Sequence, residues 1–86
     1  MGIDELRGRI DVINEGVIEL LGERAKVVKE IGEFKRVNGL DVFDAGREDA
    51  VFERVRSAAI ERGLGEDFVE KVFRDIVEES KRIQFD

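Results

Sequence analysis

The stretch VIELLGERAKVVKEIGEFK, from Val17 to Lys35, carries an apolar seam that an arginine interrupts. Apolar residues recur in it at alternating steps of three and four, the spacing that keeps side chains on one face of a helix. Arg24 occupies one position of this seam, although a guanidinium keeps its charge and is costly to bury without a partner. Two explanations are open for Arg24. Its methylenes can pack on the core while its guanidinium reaches water, or its guanidinium can be buried with a counter-ion.

The seam extends along a long first helix, which the sequence predicts at about residues 4–37 with Asp4 as its N-cap. Its positions follow a heptad pattern without a proline: Leu6, Ile10, Ile13, Val17, Leu20, Arg24, Val27, Ile31 and Phe34. Such a helix spans roughly 50 Å, whereas a compact chain of this size is only about 30 Å across. We therefore expect an intertwined homodimer in which the long helices of two chains run antiparallel.

Two shorter helices should follow, at about residues 45–62 and 66–85, in a single domain that covers residues 1–86. Asp44 is the predicted N-cap of the second helix, and Gly63 should end it. No segment alternates with period two for long enough to predict a strand, so the fold class is all-α. The predicted inner faces are Glu48, Val51, Phe52, Val55, Ala58, Ala59 and Arg62 in the second helix, and Val69, Phe73, Ile76, Ser80, Ile83 and Gln84 in the third.

The composition excludes several classes of chemistry. The chain has no cysteine and no histidine, so disulfides, thiolate nucleophiles, imidazole bases and the usual zinc and haem ligands are excluded, and no cofactor or metal is expected. A net charge of −6 without a basic face argues against nucleic acid as a partner. No apolar run suits a membrane span or a signal peptide, so we expect a cytoplasmic protein. The richness in Lys, Arg and Glu is typical of a thermophilic source.

Polar residues recur on the faces that should pack together. Arg24 and Lys35 lie three helical turns apart, so they point nearly the same way at a spacing of about 16 Å. Glu48, Ser80 and Gln84 extend the apolar faces of the other two helices. Each has a purely structural explanation, as a solvated helix end or as a first-turn carboxylate that complements the helix dipole. Glu48 is a candidate partner for Arg24, but the cations outnumber it and leave room for a ligand with more than one carboxylate.

Four motifs connect these positions: L-R-x-x-I-D at Leu6–Asp11, L-L-x-x-R at Leu20–Arg24, V-x-D-x-x-R-E at Val42–Glu48, and I-x-E-x-S-x-x-x-Q at Ile76–Gln84. Together with Lys35, they resemble the all-helical AroQ class of chorismate mutases over nearly the whole chain. The sequence departs from that class before the valine of the third motif, where a proline is expected. This departure removes no functional group, although it is expected to loosen the loop.

The resemblance implies an intertwined homodimer with three helices per chain and two equivalent sites, each completed by the other chain. Arg24 and Arg7 of the partner subunit would bind the two carboxylates of chorismate. Lys35 and Gln84 would donate hydrogen bonds to the ether oxygen whose bond to carbon breaks. Because Arg7 lies about 42 Å before Lys35 along one helix, only an antiparallel partner can bring it to the same site.

For the rest of the site, the resemblance implies that Glu48 and Asp44 hold the ring hydroxyl, while Ser80 and Arg47 assist at a carboxylate. The implied reaction is the rearrangement of chorismate to prephenate, in the biosynthesis of phenylalanine and tyrosine. This unimolecular [3,3] step needs no nucleophile, proton shuttle or metal, which suits a chain without histidine or cysteine. The chain length leads us to expect a free-standing, monofunctional enzyme.

Two alternatives stay open at this point. An isochorismate pyruvate-lyase shares the helical scaffold and an overlapping cationic site, although the pair Glu48 and Asp44 favours the mutase. A non-catalytic helical dimerisation module explains the heptad pattern but not Arg24, Ser80 and Gln84 within the apolar faces.

Overall fold

A computed structural model of the chain describes residues 2–85, in which the backbone forms three helices and no strand. They are α1 (Ile3–Val37), α2 (Ala45–Glu61) and α3 (Glu66–Phe85). The all-α class is confirmed, and every helix end lies within one residue of its predicted position. Within residues 2–85, none of the helices combines the length and the apolar composition that a membrane crossing requires.

The N-cap prediction is wrong for α1 and confirmed for α2. Gly2 takes the N-cap position of α1, and its carbonyl already accepts the Leu6 N–H at 3.2 Å, so the helix begins before Asp4. Asp4 lies instead in the first turn, where a carboxylate complements the helix dipole. In α2, the Asp44 side chain accepts the backbone N–H of Arg47 at 3.0 Å.

The C-terminal ends of α1 and α2 both lead into a glycine with positive φ. Gly39 has a φ of 66° and Gly63 a φ of 68°, a region in which a side chain would be strained. Arg62 was predicted on the inner face of α2, and that prediction is wrong. It is the C-cap residue, and its side chain is 66% exposed and donates to the Ala58 carbonyl at 3.1 Å.

Helix α3 packs against both α1 and α2, whereas α1 and α2 do not approach each other closely within the described residues. The remaining predicted faces of α2 and α3 point inward, since their residues are buried or half-buried. Val77 of α3 is buried as well, although the predicted face did not include it. On α1, the buried residues are Val28 and Gly32, each one position beyond a residue of the heptad seam.

The seam itself is exposed in the single chain. Its apolar residues keep between 41% and 64% of their surface accessible, and the buried apolar core consists of Val28, Ala59 and Val77. The chain is elongated, with a radius of gyration of 16.0 Å and extents of 55 × 24 × 15 Å. A compact chain of this length would have a radius of about 12 Å. The long helix therefore overhangs the rest of the fold, as its length predicted.

Candidate active site

A cleft of about 210 Å³ opens between the C-terminal half of α1, the start of α2 and the C-terminal half of α3. Seven of the eight predicted site residues line it; they are Arg24, Lys35, Asp44, Arg47, Glu48, Ser80 and Gln84. The helices bring them together because α3 spans the gap between α1 and α2 and presents Ser80 and Gln84 one turn apart.

Arg24 enters the cleft from α1 and is held by Ser80. Its Nη1 donates to Ser80 Oγ, and the Ser80 hydroxyl donates its own proton to the Ile76 carbonyl at 2.8 Å. A hydroxyl has one proton and two lone pairs, so Ser80 can only accept from the guanidinium in this arrangement. The suggestion that Glu48 is the internal partner of Arg24 is wrong, because the Glu48 carboxylate lies instead 3.6 Å from Lys81 Nζ.

The charge of Arg24 has no neutralising partner in the part of the chain that the structure describes. No carboxylate lies within ion-pair distance of its guanidinium among residues 2–85. Burial, and then the nearby charge of Arg47, lower the pKa of Arg24 from its ordinary value. Both causes disfavour the charged form, which an arginine nevertheless retains. The charged guanidinium therefore carries a free-energy cost in the cleft, and a bound anion would lower that cost.

Lys35 and Gln84 form a hydrogen-bonded pair at the other end of the cleft. Lys35 Nζ donates to Gln84 Oε1 at 2.8 Å and to the Val42 carbonyl at 2.9 Å. Gln84 Nε2 donates to the Ser80 carbonyl at 3.3 Å. An ammonium has three protons and a carboxamide two, so each group keeps one N–H that these contacts do not use. The bond to Val42 also ties the loop that lacks the expected proline to α1.

Lys81 is a cleft residue that the sequence reasoning missed. Its Nζ lies 3.6 Å from Glu48 Oε2, 2.7 Å from Glu78 Oε1 and 5.4 Å from the centre of the Phe43 ring. The hydrogen bond to Glu78 is the main reason that the pKa of Lys81 is raised; desolvation opposes it, and the charges of Glu48 and Glu78 add smaller raising effects. Lys81 lies one helical turn after Val77, so a predicted inner face of α3 that contained Val77 would also have contained Lys81.

The charges of the cleft leave an excess of positive charge. The cationic side chains that line it are Arg24, Lys35, Arg47 and Lys81, and the anionic ones are Asp44 and Glu48. Glu78 lies outside this lining but pairs with Lys81, so the cleft keeps an excess of at least one positive charge, although the whole chain has a net charge of −6. A local field of this kind binds an anion against the overall charge.

Arg7 is the one predicted site residue that its own chain does not bring to the cleft. It lies near the start of α1, about 26 Å along the helix from Arg24. Its side chain is 72% exposed, and its Nη1 is 3.9 Å from Asp4 Oδ1.

A family profile described as "Chorismate mutase type II" matches residues 6–85. The chain belongs to this family. Among similar proteins, the "Chorismate mutase" of Methanocaldococcus jannaschii is 30% identical over 80 residues, which cover 93% of this chain and 81% of the relative. The resemblance drawn from the four motifs is thereby confirmed at the level of the family.

Other relatives of this chorismate mutase type II chain are longer. The "T-protein" of Haemophilus influenzae is 31% identical over 78 residues, which cover 91% of this chain but 21% of the relative. The "Bifunctional chorismate mutase/prephenate dehydratase" of Aquifex aeolicus is 43% identical over 53 residues, which cover 62% of this chain and 15% of the relative. The chain thus spans about a fifth or less of these two longer relatives.

Proposed function

We propose that this family member converts chorismate to prephenate in the cleft, as a step in the biosynthesis of phenylalanine and tyrosine. The observation that carries the proposal is the set of groups around the cleft. An un-neutralised Arg24 stands at one end, the Lys35–Gln84 pair at the other, and the excess of positive charge favours an anionic ligand. A cytoplasmic location, a thermophilic source and a single domain over residues 1–86 stay predictions.

Arg24 would bind one carboxylate of chorismate. The bond to Ser80 fixes its guanidinium, which leaves the other N–H groups of that guanidinium for the ligand. Arg47 lies close enough to lower the pKa of Arg24, so the two cations would share the same anion or bind neighbouring ones. Bringing a carboxylate between two like charges also removes their repulsion.

Lys35 and Gln84 would act on the reacting bond. In the [3,3] rearrangement, the ether C–O bond breaks while a C–C bond forms between the enolpyruvyl methylene and the ring. Negative charge grows on the ether oxygen as the C–O bond stretches, and the unused N–H groups of Lys35 and Gln84 would donate to it. The cleft would also hold the enolpyruvyl arm over the ring, which removes conformational freedom before the barrier.

Glu48 and Asp44 would accept from the ring hydroxyl of chorismate. Glu48 is half-buried and its carboxylate is held 3.6 Å from Lys81 Nζ, so it would meet the ligand in a fixed orientation. Asp44 is fixed in turn by its bond to the first turn of α2. We assign Lys81 a positioning role toward Glu48.

We also propose that the chain works as an intertwined homodimer with antiparallel long helices, in which Arg7 of the partner subunit completes each cleft. The exposed seam on α1 and the small buried core of one chain support this arrangement. If Arg7 of the partner subunit meets the segment between Arg24 and Lys35, the two-fold axis passes midway, at about residues 16–21. The seam residues Val17 and Leu20 lie in that interval.

Cysteine cross-linking tests this geometry in a chain that has no cysteine of its own. We expect Val17→Cys or Leu20→Cys to form a disulfide between chains on mild oxidation, detected on non-reducing gels. Gly22→Cys is the matched control, because Gly22 lies on the face of α1 opposite the seam and should not cross-link. A monomer in sedimentation experiments, or no cross-link at either seam position, would contradict the proposed dimer.

An assay of the purified chain with chorismate tests the catalytic proposal. We expect prephenate to form as chorismate disappears. Separate measurement of pyruvate release from isochorismate distinguishes the lyase. A dimerisation module would produce neither product and would not bind a dicarboxylate transition-state analogue, which a mutase should bind tightly.

A further inference from the structure

Helices α1 and α3 make a very close backbone approach at Gly32. A Cβ atom built on Gly32 would lie 3.0 Å from Gln84 Cα and 3.2 Å from the Gln84 carbonyl oxygen. Ordinary contacts of a Cβ atom fall between 3.4 and 4 Å, so a methyl group at this position would force the two backbones apart. Gly32 is accordingly buried in the single chain.

Helix formation alone does not call for a glycine here. In a helix interior, glycine is about 1 kcal/mol less favourable than alanine. The positive φ values that glycine tolerates occur at Gly39 and Gly63, not at Gly32. What distinguishes Gly32 from Gly22 of the same helix is the neighbour, since nothing lies within 4 Å of a Cβ built on Gly22.

We propose that Gly32 is a positioning residue for the reaction: it lets the last turn of α3 come close enough to place the Gln84 carboxamide on the Lys35 ammonium. Gly32 lies one turn before Lys35 on α1, so the two residues face the same part of α3. Gly32 lies against the backbone of Gln84, and the side chain of Gln84 accepts the hydrogen bond from Lys35 at 2.8 Å. This inference rests on the proposed function, which gives the Lys35–Gln84 pair its catalytic role.

The contacts at Gly32 explain why a single methyl group should matter. Two of the atoms that it would meet belong to the Gln84 backbone, so a rotation of the side chain cannot relieve the clash. Restoring an ordinary contact requires the end of α3 to move by a few tenths of an ångström. Gln84 lies in the last turn of α3, so the displacement falls on the end of the helix. A displacement of about 1 Å from the reactive geometry typically costs on the order of 10² in rate, so this smaller shift is expected to cost about three- to tenfold.

The test compares Gly32→Ala with the matched control Gly22→Ala in steady-state kinetics. We expect Gly32→Ala to lower kcat by about three- to tenfold, while KM changes less than about twofold because the carboxylate contacts at Arg24 are unaffected. Gly22→Ala should keep the wild-type kcat. In a Gln84→Ala background, adding Gly32→Ala should cost less than about twofold more, since the group that it displaces is already absent.

A measurement without turnover separates this inference from the proposed function. Gln84 is the single glutamine of the sequence, so its side-chain amide gives one identifiable pair of NMR signals. We expect these signals to shift in Gly32→Ala and to stay in place in Gly22→Ala, whether or not the wild type converts chorismate. Unmoved signals with wild-type kcat, an equal loss in the Gln84→Ala background, or loss of the fold on adding the methyl group would each overturn the assignment.

Discussion

The two halves of α1 carry the same heptad pattern but have different surroundings. From Ile3 to Glu15, every residue is exposed. In the second half, Val28 and Gly32 are buried against α3, and Arg24 and Lys35 are half-buried in the cleft. The seam continues beside this packed face, one position before each buried residue, and its apolar residues stay exposed along the whole helix. A heptad pattern thus predicts an apolar face that packs against another element, but it does not identify that element.

Arg24 stands where these two regions meet, which explains the interruption in the seam. It occupies a seam position, and its side chain also donates a hydrogen bond to Ser80 of α3. Beyond it, α1 contributes residues to the cleft of its own chain. Before it, none of the described residues of α1 is buried, and this half of the helix carries Arg7. One continuous helix therefore has two roles: it forms part of the cleft of its own chain and, in the proposed dimer, it completes the cleft of the partner subunit.

The largest effect is expected at Lys35, in the packed half. Lys35→Ala removes a preorganised donor at the atom where charge develops, so we expect kcat to fall by about 10² to 10³. Lys26→Ala, at an exposed position of the same helix, is the matched control and should leave kcat unchanged. A near-wild-type kcat/KM for Lys35→Ala would contradict the assignment of the ether oxygen to this residue.

Arg24→Leu separates the seam from the site. Leucine restores the heptad pattern, so we expect Tm to rise by about 4–8 °C, which corresponds to about 1 kcal/mol for a domain of this size. Binding of a dicarboxylate transition-state analogue should weaken at least about 30-fold, because a desolvated charged contact is lost. Arg54→Leu, at an exposed position of α2, is the control for the added leucine. Unchanged analogue binding would show that Arg24 has only a packing role.

A substitution at Gln84 tests the proposed donor by its pH dependence. The wild-type amide donates at any ordinary pH, so we expect activity to be broadly flat from about pH 6 to 8. In Gln84→Glu, only the protonated carboxyl can donate, and the ammonium of Lys35 favours the ionised form. Activity should therefore be highest in acid and fall about tenfold per pH unit above the pKa of the new carboxyl. A pH profile like that of the wild type would argue against a contact with the ether oxygen.

The smallest effect is expected at Lys81, which acts through Glu48. Lys81→Met removes the charge but keeps a long side chain, so we expect KM to rise about two- to fivefold, the effect of losing a partly exposed ion pair. Lys81→Arg should restore most of the affinity. Lys71 lies outside the cleft, so Lys71→Met serves as the control for the loss of one positive charge from α3. An equal effect of Lys71→Met would show that only the overall charge matters.

Much of the fold could be predicted because helix periodicity and capping are local properties. Apart from the start of α1, the helix bounds followed from the seam spacing, from Asp44 as an N-cap and from Gly63 as the end of α2. The start of α1 was misplaced because the Gly2 carbonyl closes the first turn, and glycine gives no side-chain signal for that role. Arg62 was misplaced because a residue one turn beyond an apolar stripe can equally be the helix cap.

The site was predictable as a set of residues, but its internal bonds were not. Arg24, Ser80 and Gln84 stand out as polar groups in apolar faces, and the cleft brings them together. That Ser80 rather than Glu48 binds Arg24 depends on the relative rotation of α1 and α3, which spacing along one helix does not determine. Lys81 was missed because Lys is an ordinary residue for an exposed helix face, and Gly32 because its role lies in the distance to another helix.

A complementation experiment tests most directly whether the two halves of α1 serve different sites. Arg7→Ala and Lys35→Ala should each be nearly inactive alone. When equal amounts are unfolded together and refolded, about half of the dimers should be mixed, and each mixed dimer has one cleft with both residues intact. We predict recovery of about a quarter of the wild-type activity. Activity no greater than that of the two variants measured separately would contradict a site that is shared between chains.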